Sequence, residues 1–164
     1  MGTMARNIII VVLVALNIAF GIPAFMYDGP WWARATAYSF FHAGWLHLAV
    51  NAIAIWTIYR GRLRPWRDLV IPYVIAILVY PLALRPCIGF SNVLYAALGL
   101  RTPPLRSSWW RQTPVVVFLA VTVAMVFIPR FSATTHIAAF ALGMACASLQ
   151  RLWLKVTADA RRYL

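Results

Sequence analysis

Residues 89–101 read GFSNVLYAALGLR, and this stretch decides the fold. It is apolar, but only about eleven residues separate Gly89 from Arg101, whereas a helix that crosses a bilayer needs roughly 20. At a rise of about 1.5 Å per residue, Ser91 lies roughly 15 Å from the boundary at Arg101, near mid-membrane. The link from Arg85 to Phe90 must then enter the membrane as irregular backbone, which is tolerated only where protein buries it or water lines it. We expect a submerged, water-accessible helix start at Ser91.

The composition places the whole chain in a membrane. Of its 164 residues, 63% are apolar and 11% are charged, with a mean hydropathy of +0.78. A soluble domain carries about 25% charged residues, which excludes a soluble enzyme or a disordered chain. Two cysteines, Cys87 and Cys146, are too few for a disulfide-stapled secreted module. The length allows at most about six spans with short loops. We therefore predict a single membrane domain over residues 1–164, and no cleavable signal is evident.

The loops between the apolar stretches indicate the orientation. With the N-terminus inside, twelve of the fifteen Lys and Arg residues fall in cytoplasmic segments, and only Arg34, Arg85 and Arg130 fall outside. This bias predicts an all-α bundle of six transmembrane helices with both termini cytoplasmic. It also explains the net charge of +12 without nucleic acid. The predicted spans are Asn7–Met26, about Trp45–Tyr59, Leu69–Leu84, Phe90–Leu100, Thr113–Pro129 and Thr135–Leu154.

Three polar side chains are expected at one depth in this bundle. His47 precedes Arg60 by roughly 20 Å of helix and His136 precedes Arg151 by roughly 22 Å, so both share the level of Ser91. Each residue alone has a structural explanation, such as packing or a hydrogen bond between helices. Together, a serine and a histidine form a nucleophile–base pair for acyl transfer. Intramembrane ionisable residues are also functional by default.

Two helical spacings add to this site. His47 and Asn51 are four residues apart and so share a helix face, as do Ser91 and Tyr95. We expect His47, Asn51 and the Ser91 amide to be candidate donors to an oxyanion. The three acids, Asp28, Asp68 and Asp159, all lie in predicted loops or ends far from these positions. We therefore expect a Ser–His dyad, with Tyr95 packing where an Asp would otherwise orient the imidazole.

These residues resemble the motifs of the rhomboid intramembrane serine proteases. Residues 41–51, FHAGWLHLAVN, resemble the second-helix motif H-x4-H-x3-N of that family. Residues 89–95, GFSNVLY, resemble its fourth-helix motif G-x-S-x-x-x-Y, and residues 135–143, THIAAFALG, resemble the sixth-helix motif that begins at the catalytic histidine. All three histidines of the chain fall on family positions. The six-span core of the family accounts for nearly the whole chain.

The resemblance implies a role for each position. Ser91 would be the nucleophile and His136 the general base and acid, and neither a cofactor nor a metal would be needed. It implies substrates that are transmembrane helices, cut within or near the bilayer, and a cell-membrane location with the site opening to the extracytoplasmic side. The oxyanion hole would consist of His47, Asn51 and the Ser91 amide. The residues that support this site would be Tyr95, His42 and Gly89.

The sequence also departs from the family pattern. The residue after the nucleophile is usually Gly, whereas here it is the bulkier Asn92. Ala139 stands where a Gly is common, although Ala139, Gly143 and Ala147 keep a small-residue stripe for packing against the fourth helix. The usual Trp-Arg pair of the first loop is split, as Trp32-Ala33-Arg34. The loop is either an amphipathic segment in the outer leaflet or an ordinary interfacial aromatic belt.

Three functions therefore stand at this stage. The first is an active protease, either general or dedicated to processing C-terminal sorting helices. The second is a catalytically silent rhomboid-like protein that binds transmembrane helices, which Asn92 leaves open. The third is a small transporter or a subunit of a membrane complex, for which we would expect polar groups spread across the membrane or an inverted repeat. The sequence shows neither feature.

Overall fold

A computed structural model describes residues 2–23, 25–59, 64, 66–83, 88–102, 120, 122 and 132–160. All regular secondary structure in these ranges is helical, which confirms the all-α class. Short 3₁₀ turns occupy Tyr38–Phe40 and Tyr80–Leu82, and a π-helical turn covers Trp66–Val70. The α-helices are α1 (Gly2–Phe20), α2 (Phe25–Asp28), α3 (Trp31–Ala37), α4 (Trp45–Ile58), α5 (Ile71–Val79), α6 (Ser91–Arg101) and α7 (Ala133–Ala160).

Helix α6 is the central helix of the described structure. It begins at Ser91, as its length predicted, and every residue from Asn92 to Leu100 is buried. Because α6 has no lipid-facing side, it does not have to cross the whole hydrocarbon core. Its eleven residues are therefore enough for a helix in this position. Its neighbours are chiefly α5 and α7, and its largest interface is with α7.

The small residues of α6 and α7 allow these two helices to approach closely. A Cβ atom built on Gly99 would lie 3.1 Å from the Cα of Gly143, and one built on Gly143 would lie 3.1 Å from the backbone nitrogen of Leu100. Ala139 and Ala147, on the same face of α7 as Gly143, are buried. The predicted packing of this small-residue stripe against the fourth apolar segment is therefore confirmed.

The described helices support part of the predicted membrane topology. Helix α7 is long and apolar enough over Ala133–Asp159 to cross a bilayer, and α1 contributes a shorter apolar helix, Met4–Phe20. The segment Trp31–Phe40 is long and apolar enough to cross a bilayer only when it is counted together with α4. The two helical segments are bent by 72° relative to each other. The fifth predicted span, Thr113–Pro129, and the Arg85-Pro86 break lie outside the described residues, apart from residues 120 and 122. Six spans and cytoplasmic termini stay predictions.

A polar cluster joins the end of α4, the π-helical turn before α5 and the end of α6 farthest from Ser91. The Asp68 carboxylate pairs with Arg101 at 3.0 Å and accepts the backbone N–H of Arg64 at 2.6 Å. The Tyr59 hydroxyl donates to the Asp68 carbonyl at 2.8 Å, and Arg101 also donates to the carbonyl of Ile58. This acid therefore has a structural role and lies a helix length away from Ser91, since eleven residues of helix rise roughly 15 Å.

Candidate active site

The structure brings the predicted nucleophile and base into direct contact. Ser91 is the first residue of α6, and His136 lies in the first turn of α7. Their Oγ and Nε2 atoms are 2.6 Å apart, which is hydrogen-bond distance. His136 is only 2% exposed, whereas Ser91 keeps partial exposure. The imidazole is therefore enclosed by protein, and the hydroxyl is the more accessible partner of the pair.

A backbone carbonyl orients the imidazole of His136. Its Nδ1 atom lies 2.6 Å from the carbonyl oxygen of Ser132, which can only accept a hydrogen bond. The neutral ring therefore carries its proton on Nδ1, which leaves Nε2 free to accept the Ser91 O–H. This tautomer is the one that a general base needs, and in other hydrolases an Asp side chain fixes it. The sequence predicted that no carboxylate would do so, but it did not indicate the carbonyl.

Tyr95 packs against the same imidazole. The two rings have centroids 4.8 Å apart and meet edge to face at 77°. The Tyr95 hydroxyl is hydrogen-bonded to Thr122, which is also buried. Tyr95 therefore lies one turn below Ser91, as the spacing predicted, and limits the rotation of His136.

His47 of α4 lies against the backbone of Gly89, two residues before Ser91. Its Nδ1 atom accepts the backbone N–H of Ala43 at 3.4 Å, so the proton of the neutral ring is on Nε2. The imidazole lies so close to Gly89 that a Cβ atom there would be 2.5 Å from Cε1 and 2.7 Å from Nε2. Gly89 itself has a φ of +123°, a conformation that L side chains rarely adopt. His47 therefore presents an N–H donor beside the segment that leads into Ser91.

Asn51 is placed differently from His47. It is buried on the same face of α4, as the spacing predicted, but its Nδ2 atom donates to the carbonyl of His47 at 3.0 Å, within its own helix. One amide hydrogen is thus used locally, and the side chain has a second. The backbone N–H of Ser91 is in the first turn of α6, where N–H groups have no partner within the helix. Of the three predicted donors, the amide belongs to Ser91 itself and His47 lies against Gly89, two residues before Ser91, while Asn51 is one turn farther along α4.

His42 links the segment between the 3₁₀ turn and α4 to the start of α6. Its Nε2 atom accepts the backbone N–H of Phe90 at 3.4 Å, and its own backbone N–H donates to Asn17 Oδ1 at 2.9 Å. Asn17 also donates to the carbonyl of Phe40 at 3.2 Å. His42 is therefore placed to hold the residue before Ser91.

No metal site accompanies these histidines in the described part of the chain. His42 and His47 have ring centroids 5.2 Å apart, but no three His, Cys, Asp or Glu side chains among the described residues are grouped closely enough to hold a metal ion. The candidate chemistry is that of a serine, an imidazole and neutral hydrogen-bond donors.

Comparison with protein-family models identifies the fold that carries this site. The model of the Rhomboid domain matches residues 28–152, a range that contains α3 to α6 and most of α7. The chain belongs to the rhomboid family. Rhomboid proteins are embedded in membranes and are generally intramembrane serine proteases, so this chain is a membrane protein. No curated protein and no solved structure matches it significantly.

Sequence reasoning missed several residues of this rhomboid site. Ser132 acts through its backbone carbonyl, which no residue type signals. Asn17 bonds to His42, and Tyr38 bonds to Asn92. Both pairs are more than twenty residues apart in the chain, so no local spacing reveals them. Asn17 was detectable as a polar residue within an apolar stretch, and it lies outside the matched range 28–152.

A substitution at Gly89 tests the placement of His47. Gly89→Ala is expected to lower turnover of a transmembrane substrate by about 10²-fold, the usual effect of losing one oxyanion donor, because the new Cβ displaces the imidazole. Gly44→Ala is the matched control, since Gly44 has a similar φ of +135° but open space around a built Cβ. Turnover is measured per folded molecule. Equal losses in both variants would contradict the displacement of His47 and would indicate backbone strain instead.

Proposed function

We propose that this rhomboid protein is an active intramembrane serine endopeptidase that uses Ser91 and His136 as a dyad. The observation that carries the proposal is the 2.6 Å contact between Ser91 Oγ and His136 Nε2, with Nδ1 held by the Ser132 carbonyl. That arrangement provides a nucleophile, a base in the required tautomer and a fixed ring orientation. The family match supports the reaction class.

The reaction follows from this arrangement. His136 Nε2 takes the hydroxyl proton while Ser91 Oγ attacks the scissile carbonyl carbon, and the carbonyl oxygen becomes an oxyanion. The Ser91 N–H and His47 Nε2–H are the proposed donors to that charge, and the positive end of the α6 dipole also favours it. When the intermediate collapses, His136 returns the proton to the leaving amine and an acyl-enzyme remains. Water, activated by the same imidazole, then hydrolyses the ester.

The proposed substrates are transmembrane helices of other membrane proteins. We place the chain in the cell membrane with six spans and cytoplasmic termini, because the loop charges favour that orientation. The site then opens toward the extracytoplasmic side, at the level of the start of α6. A substrate helix has to unwind there, since the scissile peptide carbonyl must leave its own hydrogen bond to accept the donors.

The alternative is a rhomboid-like protein that binds helices without cutting them, which the presence of Asn92 raised. Asn92 is fully buried, and its amide donates to the hydroxyl of Tyr38 at 3.0 Å. The Asn92 side chain is therefore directed to the 3₁₀ turn before α4, whereas Ser91 Oγ contacts His136, so Asn92 does not stand between the two members of the dyad.

Labelling with a fluorophosphonate probe distinguishes the two functions. The purified protein is expected to be labelled in detergent, Ser91→Ala is expected to give no label, and His136→Ala is expected to react at least about 10²-fold more slowly, because general-base catalysis contributes that much. Ser148→Ala is the control, since Ser148 is an exposed serine of α7 that bonds only to its own helix and Arg151 in the described structure. Absence of Ser91 labelling in the wild type, with no cleavage of a single-span substrate, would support the silent alternative.

A further inference from the structure

Tyr38 contacts the chain on both sides of the nucleophile. Its backbone carbonyl accepts the N–H of Gly89 at 2.9 Å, two residues before Ser91. Its hydroxyl accepts a hydrogen from Asn92 Nδ2 at 3.0 Å, one residue after Ser91. One residue thus holds the backbone that leads into the nucleophile and the side chain that follows it.

Tyr38 is itself firmly held. Its side chain is fully buried, and its hydroxyl donates to the carbonyl of Ala76 in α5 at 2.9 Å. Its ring also packs against Tyr80, with centroids 4.9 Å apart. Asn92, Tyr38 and Ala76 therefore form a continuous chain of hydrogen bonds in the protein interior. Such bonds are electrostatically stronger at low dielectric and polarise one another.

The direction of Asn92 determines what this chain can do. Successive residues of a helix point about 100° apart, so Asn92 and Ser91 leave α6 on different sides. Ser91 Oγ meets His136 of α7, whereas Asn92 Nδ2 meets the 3₁₀ turn at Tyr38. The hydrogen bond from Asn92 to Tyr38 therefore restrains the rotation of the first turn of α6 about the helix axis. That rotation sets where Ser91 Oγ lies relative to Nε2.

We propose that Asn92 is a positioning residue, which acts through Tyr38 to fix the rotational setting of Ser91. This inference rests on the proposed protease function and deepens it. Asn92 then does not act as a steric replacement for the usual glycine; its amide bonds to Tyr38. Because a misplacement of about 1 Å at a reacting atom costs roughly 10²-fold in rate, a loosened first turn lowers the chemical step more than substrate binding.

A double-mutant cycle between Asn92 and Tyr38 tests the proposal. Asn92→Ala and Tyr38→Phe each remove the bond between the two side chains, and each is expected to lower kcat of a single-span substrate by about 10- to 100-fold with KM changed less than about twofold. The double variant is expected to be at most about threefold slower than the slower of the two single variants. The reason is that both substitutions remove the same hydrogen bond, the one between Asn92 and Tyr38. The rate of fluorophosphonate labelling at Ser91 is expected to fall in parallel with kcat.

Tyr59→Phe is the matched control for this cycle. Tyr59 is equally buried, and its hydroxyl also donates to a backbone carbonyl, that of Asp68, but at the opposite end of α6. It is expected to lower the thermal stability as Tyr38→Phe does, and to leave the labelling rate per folded molecule within about twofold.

The outcomes separate the two proposals. If the wild type is not labelled at Ser91 and cleaves nothing, the protease function itself is wrong. If the wild type is active and both single variants keep its kcat, or if Tyr59→Phe loses as much kcat as Tyr38→Phe, the positioning role of Asn92 is overturned while the protease function stands. Fully multiplicative losses in the double variant would overturn it as well.

Discussion

Replacing His136 with glutamine is expected to lower the turnover of a transmembrane substrate by about 10³-fold or more. Glutamine has nearly the reach of histidine and retains polar atoms, so the buried space between α6 and α7 stays filled. An amide, however, cannot take the proton of the Ser91 hydroxyl. The nucleophile then has to attack as a neutral alcohol, and the leaving amine has no acid. The proposed oxyanion donors, His47 and the Ser91 amide, remain, and we expect any residual rate to come from them.

The measurement is single-turnover cleavage in detergent, with the amount of folded protein determined by thermal unfolding. Thr134→Val is the control, because Thr134 is exposed on the same turn of α7 and bonds only to Leu82 and Ser132 in the described structure. It is expected to keep turnover within about threefold. A similar loss in both variants would mean that this turn of α7 is sensitive as a whole, and His136→Gln alone would then not identify the base.

The sequence was most informative where a physical limit applied. An apolar stretch too short to cross the bilayer predicted a helix start at Ser91, and α6 begins there. The spacing of four between Ser91 and Tyr95 placed a ring one turn below the hydroxyl, and the ring lies against His136. The chain holds few acids, and Asp68 pairs with Arg101 at the far end of α6.

Other parts of the site depend on contacts that a linear pattern does not express. The acceptor that fixes the tautomer of His136 is a carbonyl group, and every residue has one. The spacing of His47 and Asn51 predicted a shared face correctly, but the geometry at Asn51 is a bond back to its own helix. Tyr38 meets Asn92 across 54 residues of chain, so the bond between them appears only once the segments before α4 and α6 are packed together.

Adding a single methyl group at Gly99 or Gly143 is expected to destabilise the protein by about 2–3 kcal/mol or more, although alanine is the better helix former by about 1 kcal/mol. At Gly99 the new Cβ would overlap the carbonyl oxygen of Phe140 and lie 2.9 Å from the backbone nitrogen of Met144. At Gly143 it would overlap the carbonyl oxygen of Ala96. These are backbone atoms, so no side-chain rotation relieves the overlap and the two helices must separate.

Separation of α6 from α7 also moves Ser91 away from His136, because each helix carries one member of the pair. We therefore expect Gly99→Ala and Gly143→Ala to lower Tm by about 4–12 °C, and also to lower the rate of Ser91 labelling. Ala145→Val is the control, since it adds two methyl groups at an exposed position of α7. It is expected to change Tm by less than about 3 °C. A rise in Tm for either glycine variant, as helix propensity alone predicts, would show that the close approach of the two helices does not hold the dyad together.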